Sequence, residues 1–243
     1  MVRHGFLRVE VQLQIGFGVV FVDGSAHVTG NLALPECQSR DILAALAGFA
    51  ALNPTVYNGR VDFERVLKAL LAEFDRCEIR YAAIGGFALG VLGHARATMD
   101  LDFLVNRDDL DKVDQGMTAL GYERIMQTEN VSHYRHRDKA WGAVDFIHAF
   151  RKSSLAMLAR AKGYAAFGGK QTVKAADPED VIGLKVQAMT NDSARMPQEV
   201  ADIETLMRLY GSKLDWARIQ EYYDIFGVGE DARRSRERFG RVE

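Results

Sequence analysis

The sequence predicts an α/β (α+β) protein: a mixed β-sheet core flanked by helices, followed by a helical C-terminal portion. Three observations predict it. Between Val61 and Ala176, short apolar or alternating runs (IRYAAI, MDLDFLV, GAVDFIHAF) are interleaved with amphipathic segments of helical length. From Asp177 onward the periodicity is helical only. Of 243 residues, 48% are hydrophobic and 26% charged, which suits a globular chain and excludes collagen-like, disordered and coiled-coil ones.

Residues 1–58 read as an N-terminal extension ahead of the main domain. VEVQLQIGFGVVFVDG alternates as an exposed strand pair would, with Asp23-Gly24 as its tight turn. DILAALAGFAAL is a short helical pattern ended by Asn53-Pro54. The apolar run behind Arg3 is broken by glycines and lacks a cleavage site, so it does not read as a signal peptide. The core is expected over 59–176. VDFERVLKALLAEFDRC aligns Phe63, Val66, Leu67, Leu70, Leu71 and Phe74 on one helical stripe. IRYAAI is a short buried strand, and a Gly-Gly turn then opens the small-residue helix FALGVLGHA. MDLDFLV alternates strictly, as a strand does. DDLDKVDQGMTALG is a helix with aspartate caps and a stop at Gly121. HYRHR and GAVDFIHAF supply two or three strands, followed by a helix near 152–162 and a strand in KQTVKA. Asp177-Pro178-Glu179-Asp180 announces a helix: an aspartate cap, proline at the first position and acids in the first turn. Further helices near 199–210 and 214–226 complete a C-terminal portion over 177–230. Residues 231–243 read as a frayed, arginine-rich tail.

Charge narrows the function. Lys plus Arg is 31 against 33 Asp plus Glu, a net charge of −2, so bulk charge does not grip nucleic acid, although a local basic face can. Cys37 and Cys77 form neither a CxxC pair nor a disulfide scaffold, which suits a reducing cytoplasm. No apolar run approaches the ~20 residues of a membrane span. The six histidines lack zinc-site spacing, and no nucleophile elbow occurs.

The chemistry-bearing segment is IGGFALGVLGHARATMDLDFLV. Gly85 and Gly86 lie between strand and helix, where backbone N–H groups can approach an anion. Asp100 and Asp102 share one face of a strand, about 6.6 Å apart at ~3.3 Å per residue, with Leu101 and Phe103 on the other. Paired carboxylates of this kind can hold a hard cation such as Mg²⁺ beside substrate phosphates. Asp145, in the apolar strand AVDFIH, is a third acid that is costly to bury unless paired or metal-bound. Its alternative is an edge-strand acid facing water. Arg135 and Arg137 share a strand face that could steer an NTP or an RNA acceptor, with a solvated hairpin as the simpler account. The tail arginines Arg233, Arg234, Arg236, Arg238 and Arg241 are candidates for RNA phosphates or for mere solubility.

These residues resemble the nucleotidyltransferase superfamily related to DNA polymerase β, whose pattern is a hydrophobic residue, Gly-[Gly/Ser], a spacer, an acidic pair one residue apart and a later single acid. Here thirteen residues separate Gly86 from Asp100. Arg96-x-Thr98-x-Asp100-x-Asp102 is closest to the AbiEii-like branch, which includes type IV toxin–antitoxin enzymes. EDVIGLKVQAM, Arg195 and Asp202-Ile203 resemble its downstream segment, with Gln198-Glu199 where the branch commonly has Lys-Asp. The resemblance spans about 61–228. It implies NMP transfer from an NTP such as ATP to an acceptor hydroxyl on RNA or protein, as a toxin-type enzyme with a cognate antitoxin partner. It also implies two Mg²⁺ ions on Asp100, Asp102 and Asp145, with Asp145 taking the acceptor proton. Gly85 and Gly86 would hold phosphates. Arg96 would touch phosphate or brace its loop, and Lys185 would neutralise phosphate or be an ordinary solvated lysine. Asp202 reads as a helix-packing acid. The alternatives are a small-molecule (aminoglycoside-type) nucleotidyltransferase and a non-catalytic nucleotide- or partner-binding domain.

Overall fold

The computed structural model describes residues 61–94, 98 and 100–240. The strand pair and helix expected within 1–58, and Arg96 and Arg241, lie outside them. The described chain is built on a seven-stranded mixed sheet: β1 (Tyr81–Ile84), β2 (Asp100–Asn106), β3 (Tyr122–Gln127), β4 (Val131–His136), β5 (Ala143–Ala149), β6 (Lys162–Ala166) and β7 (Gln171–Ala175). Their order is β3-β4-β5-β2-β1-β7-β6. β2 runs parallel to β5, and β1 to β7; the other neighbours are antiparallel.

Alternation divides two cores between the faces of the sheet. On one face Leu101, Phe103 and Val105 of β2 and Val144 and Phe146 of β5 meet Val66, Leu67, Leu70 and Phe74 of α1 (Phe63–Arg76). Val113 and Met117 of α3 (Leu110–Ala119) join the same cluster. Four of the six residues of the expected stripe on α1 are buried, and Phe63 and Leu71 pack partly against them. Asp62 caps this helix by accepting from the Arg65 N–H at 3.1 Å. The opposite face carries α2 (Gly85–Val91), α4 (Lys152–Arg160) and the C-terminal helices α5 (Pro178–Asn191), α6 (Met196–Tyr210), α7 (Trp216–Ile225) and α8 (Gly229–Phe239). None of the helices among the described residues is long and apolar enough to cross a membrane.

Four features differ from the sequence reading. β6 was not expected; it is a five-residue edge strand that buries only Ala166, ordered by pairing with β7. The expected frayed tail is instead helical over α8. There Ala232 is buried, Arg238 bonds Glu204 at 2.8 Å and Arg233 pairs with Glu230. Asp109 does not cap α3: its carboxylate accepts from the backbone and side chain of Arg80 at 3.2 and 2.9 Å. The acids that open α5 bolt helices together rather than only facing its dipole. Asp177 pairs with Lys162 and Arg218, and Glu179 accepts from the Asp215 N–H at 2.8 Å. Asp180, fully buried, accepts from Arg160 at 2.8 Å and from the Tyr222 hydroxyl at 2.7 Å.

Those bonds fix the Tyr222 ring against Gly183 of α5, where an added Cβ would lie 2.5 Å from the ring. Gly183→Ala therefore loses more by overpacking, about 1–3 kcal/mol, than it gains in helix propensity, at most ~1 kcal/mol. Chemical denaturation should show a lower midpoint for this variant, although the substitution favours an isolated helix.

Candidate active site

Register assembles the site. Asp102 of β2 lies beside Asp145 of β5 in the parallel pair, and Asp145 lies opposite His133 of β4. One row of the sheet face therefore reads Asp102–Asp145–His133. The adjacent row reads Asp100–Ala143–Arg135. All three expected carboxylates share this face, and the water-facing edge-strand alternative for Asp145 does not hold, because β5 is flanked by β2 and β4. The next row, Leu104–Ile147–Val131, is apolar and leads into the core under the helices.

The glycine bend closes the other side of Asp102. Ile84 pairs with Asp102, so the chain leaves β1 directly above its carboxylate. Gly85 has φ +64°, and a Cβ there would overlap the Asp102 carboxylate. Only glycine satisfies both the backbone conformation and the close approach. Burial, followed by the charges of Asp145 and Asp100, pushes the Asp102 carboxyl up from 3.8 to about 6, against a hydrogen bond from the Gly86 backbone. Asp100 is raised by the same causes, burial first and then Asp145, with Arg135 opposing.

Asp145 Oδ1 stands 2.7 Å from His133 Nδ1. Arg135 is exposed and makes no ion pair among the described residues, whereas Arg137, expected on the same face, is tied to Glu123, and Arg124 to Asp114. Lys185 is not a solvated lysine. It is buried, with Nζ 2.7 Å from Glu199 and 2.6 Å from Asp202, and Arg195 reaches Glu199 from outside at 2.5 Å. Asp202 is thus a packing acid that joins α6 to α5, and it also faces His94 at 3.9 Å. Arg195 is near enough to Asp102 to lower its carboxyl, which links this cluster to the acids.

Three oxygen-bearing side chains that repel one another suit a hard divalent cation. As they stand, no three His, Cys, Asp or Glu side chains among the described residues are drawn close enough to ligate one ion. The residues fit such an ion by chemistry and shared face, with Asp145 drawn toward His133.

A family model described as "Uncharacterised nucleotidyltransferase" matches residues 43–230. The chain belongs to that family. The matched span starts inside the segment read as an extension. No curated protein matches the chain. Among solved structures, the antibiotic-resistance factor ANT(2'')-Ia in solution is similar at 16% identity, over 72% of this chain and 96% of that one, with a TM-score of 0.51. A crystal structure of ANT(2'')-Ia with adenylyl-2''-tobramycin gives 14% identity over 67% and 95%, also at 0.51. These likenesses concern the fold. The protein is a nucleotidyltransferase by family, on the mixed α/β scaffold of that fold.

Two partners were not foreseen from the sequence: His133 for Asp145, and Glu199 for both Lys185 and Arg195. For His133 alternation leaves both faces open, and the β4–β5 register alone sets it level with Asp145. Glu199 had no signal beyond its helical spacing of four from Arg195.

The sign of the Asp102 shift makes a prediction. The folded state holds this proton more tightly than the unfolded chain, so its contribution to stability falls as pH rises from about 4 through about 6. In metal-free protein, Asp102→Asn should be more stable than wild type at pH 7.5 by up to ~3 kcal/mol and equal to it near pH 4, as read from thermal melts at both pH values.

Proposed function

We propose that the protein transfers an NMP from an NTP to an acceptor hydroxyl, and that Asp100, Asp102 and Asp145 are its metal-binding and catalytic acids. The observation that carries this reading is the Asp102 carboxylate pressed against the Gly85 bend with two further acids on its face. On this reading Gly85 and Gly86 bind the terminal phosphates through backbone N–H donors, on the α2 side of Asp102. Arg195 adds positive charge there, and Lys185 with Arg96 belongs to the same nucleotide-binding set. Lys185 acts from behind Glu199, which holds Arg195 in place. Mg²⁺ bound by the three carboxylates would offset charge on the attacking and leaving oxygens.

The acceptor approaches from the β4 side, where Asp145 is within reach and no phosphate-binding bend intrudes. Its hydroxyl oxygen forms a bond to the α-phosphorus, the bond from that phosphorus to the bridging oxygen breaks, and pyrophosphate leaves. Asp145 receives the hydroxyl proton. Arg135, exposed, in register with Ala143 and without an ion pair among the described residues, favours an anionic acceptor such as RNA over a cationic antibiotic. A toxin-type role with an antitoxin partner is the finer form of this proposal, and rests on the resemblance of the Lys185 and Arg195–Asp202 segments to the AbiEii-like branch.

The test is incubation of the protein with each α-labelled NTP and Mg²⁺, with total RNA, protein or tobramycin as acceptor. Label should enter RNA, and Asp100→Ala and Asp102→Ala should reduce incorporation to background with the fold retained by circular dichroism. Label in tobramycin alone would replace the acceptor assignment; full turnover by either variant would remove the acids from the mechanism.

A further inference from the structure

We infer that His133 is a positioning residue for Asp145. The inference rests on the proposed role of the three acids and names the side chain that sets the direction of one of them. Asp145 occupies the middle strand of its row, with Asp102 on one side and His133 on the other. Neighbouring strands lie about 4.8 Å apart, so a short carboxylate in the middle can lean either way. Ile147, two residues on along the same face, belongs to the apolar row, whereas Ala143, two residues back, is small and leaves room on that side. Like charge favours separating Asp145 from Asp102, whose ionisation the neighbouring Asp145 makes more costly. What holds it is the 2.7 Å contact between His133 Nδ1 and Asp145 Oδ1, a length typical of charge-assisted bonds.

That contact divides the labour of the carboxylate. Oδ1 is engaged by His133, and Oδ2, without a hydrogen bond among the described residues, is left to a cation or an acceptor proton. Residues that orient a ligating carboxylate in this way typically alter metal affinity 10–100-fold when removed. His133 is itself held by strand pairing on both edges of β4, which gives it a fixed starting point. Its side chain is 33% exposed, so it contributes little to the core and can be replaced without emptying it.

The experiment titrates Mn²⁺ alone, by electron paramagnetic resonance, into wild type, His133→Ala, His133→Asn, Asp145→Asn and Asp102→Ala. Asn keeps an amide donor near the position of Nδ1; Ala removes it. His133→Ala should weaken Mn²⁺ about tenfold or more at an unchanged melting temperature, and His133→Asn should stay within a few-fold of wild type. Equal losses in both His133 variants would make the imidazole a ligand or a mere packing group and overturn the inference, as would unchanged affinity in His133→Ala. If wild type binds no Mn²⁺, or Asp102→Ala and Asp145→Asn bind it normally, the proposed metal role of the acids fails, and the inference with it.

Discussion

Everything at the site follows from the cost of crowding Asp102. Its carboxylate is buried under the Gly85 bend, beside Asp145 and within the field of Asp100. Two like charges brought together at low dielectric raise the free energy of the folded chain, and among the described residues a hydrogen bond from Gly86 and the charge of Arg195 oppose this. A fold retains such an arrangement where a ligand relieves it, and strained polar clusters are characteristic of functional sites. The glycine is the other half of the same constraint. A side chain at residue 85 would occupy the space that brings backbone N–H groups beside the carboxylate.

The scaffold holds this arrangement from both faces of the sheet. Beneath it, Phe74, Phe103 and Phe146 pack edge-on or stacked at 5.2–6.1 Å, and fix β2 against β5. Above it, the C-terminal helices are joined by buried charges: Asp180 with Arg160 and Tyr222, and Lys185 with Glu199 and Asp202. Buried ion pairs add little net stability compared with apolar packing but impose one geometry. Here that geometry carries Arg195 to the edge of the acidic face. The helical portion therefore contributes to the site's electrostatics as well as to the core.

Much of this was legible in the sequence, for identifiable reasons. The stripe on α1 follows from 3.6-residue periodicity, and the shared face of Asp100 and Asp102 from strand alternation. Asp145 stood out as an acid among Val144, Phe146 and Ile147. What could not be read was lateral: that β2 lies next to β5, in parallel, with Asp102 level with Asp145 and His133 one strand beyond. No turn joins β2 to β5: they are parallel neighbours linked by a long crossover, so their pairing is settled by tertiary packing. The helix α8 was missed because its sequence, GEDARRSRERF, is almost wholly polar, and it is anchored by Ala232, by Phe239 at its end and by an ion pair to α6. Lys185 read as a phosphate-neutralising or a solvated lysine, and its burial between Glu199 and Asp202 could not be foreseen because both acids come from a different helix.

The most direct measurement is anomalous diffraction from crystals grown with Mn²⁺ and a non-hydrolysable NTP analogue. The account predicts manganese peaks within ligating distance of Asp100, Asp102 and Asp145, with the terminal phosphates against the Gly85-Gly86 bend. Manganese and nucleotide bound together elsewhere, with the acidic row empty, would contradict it.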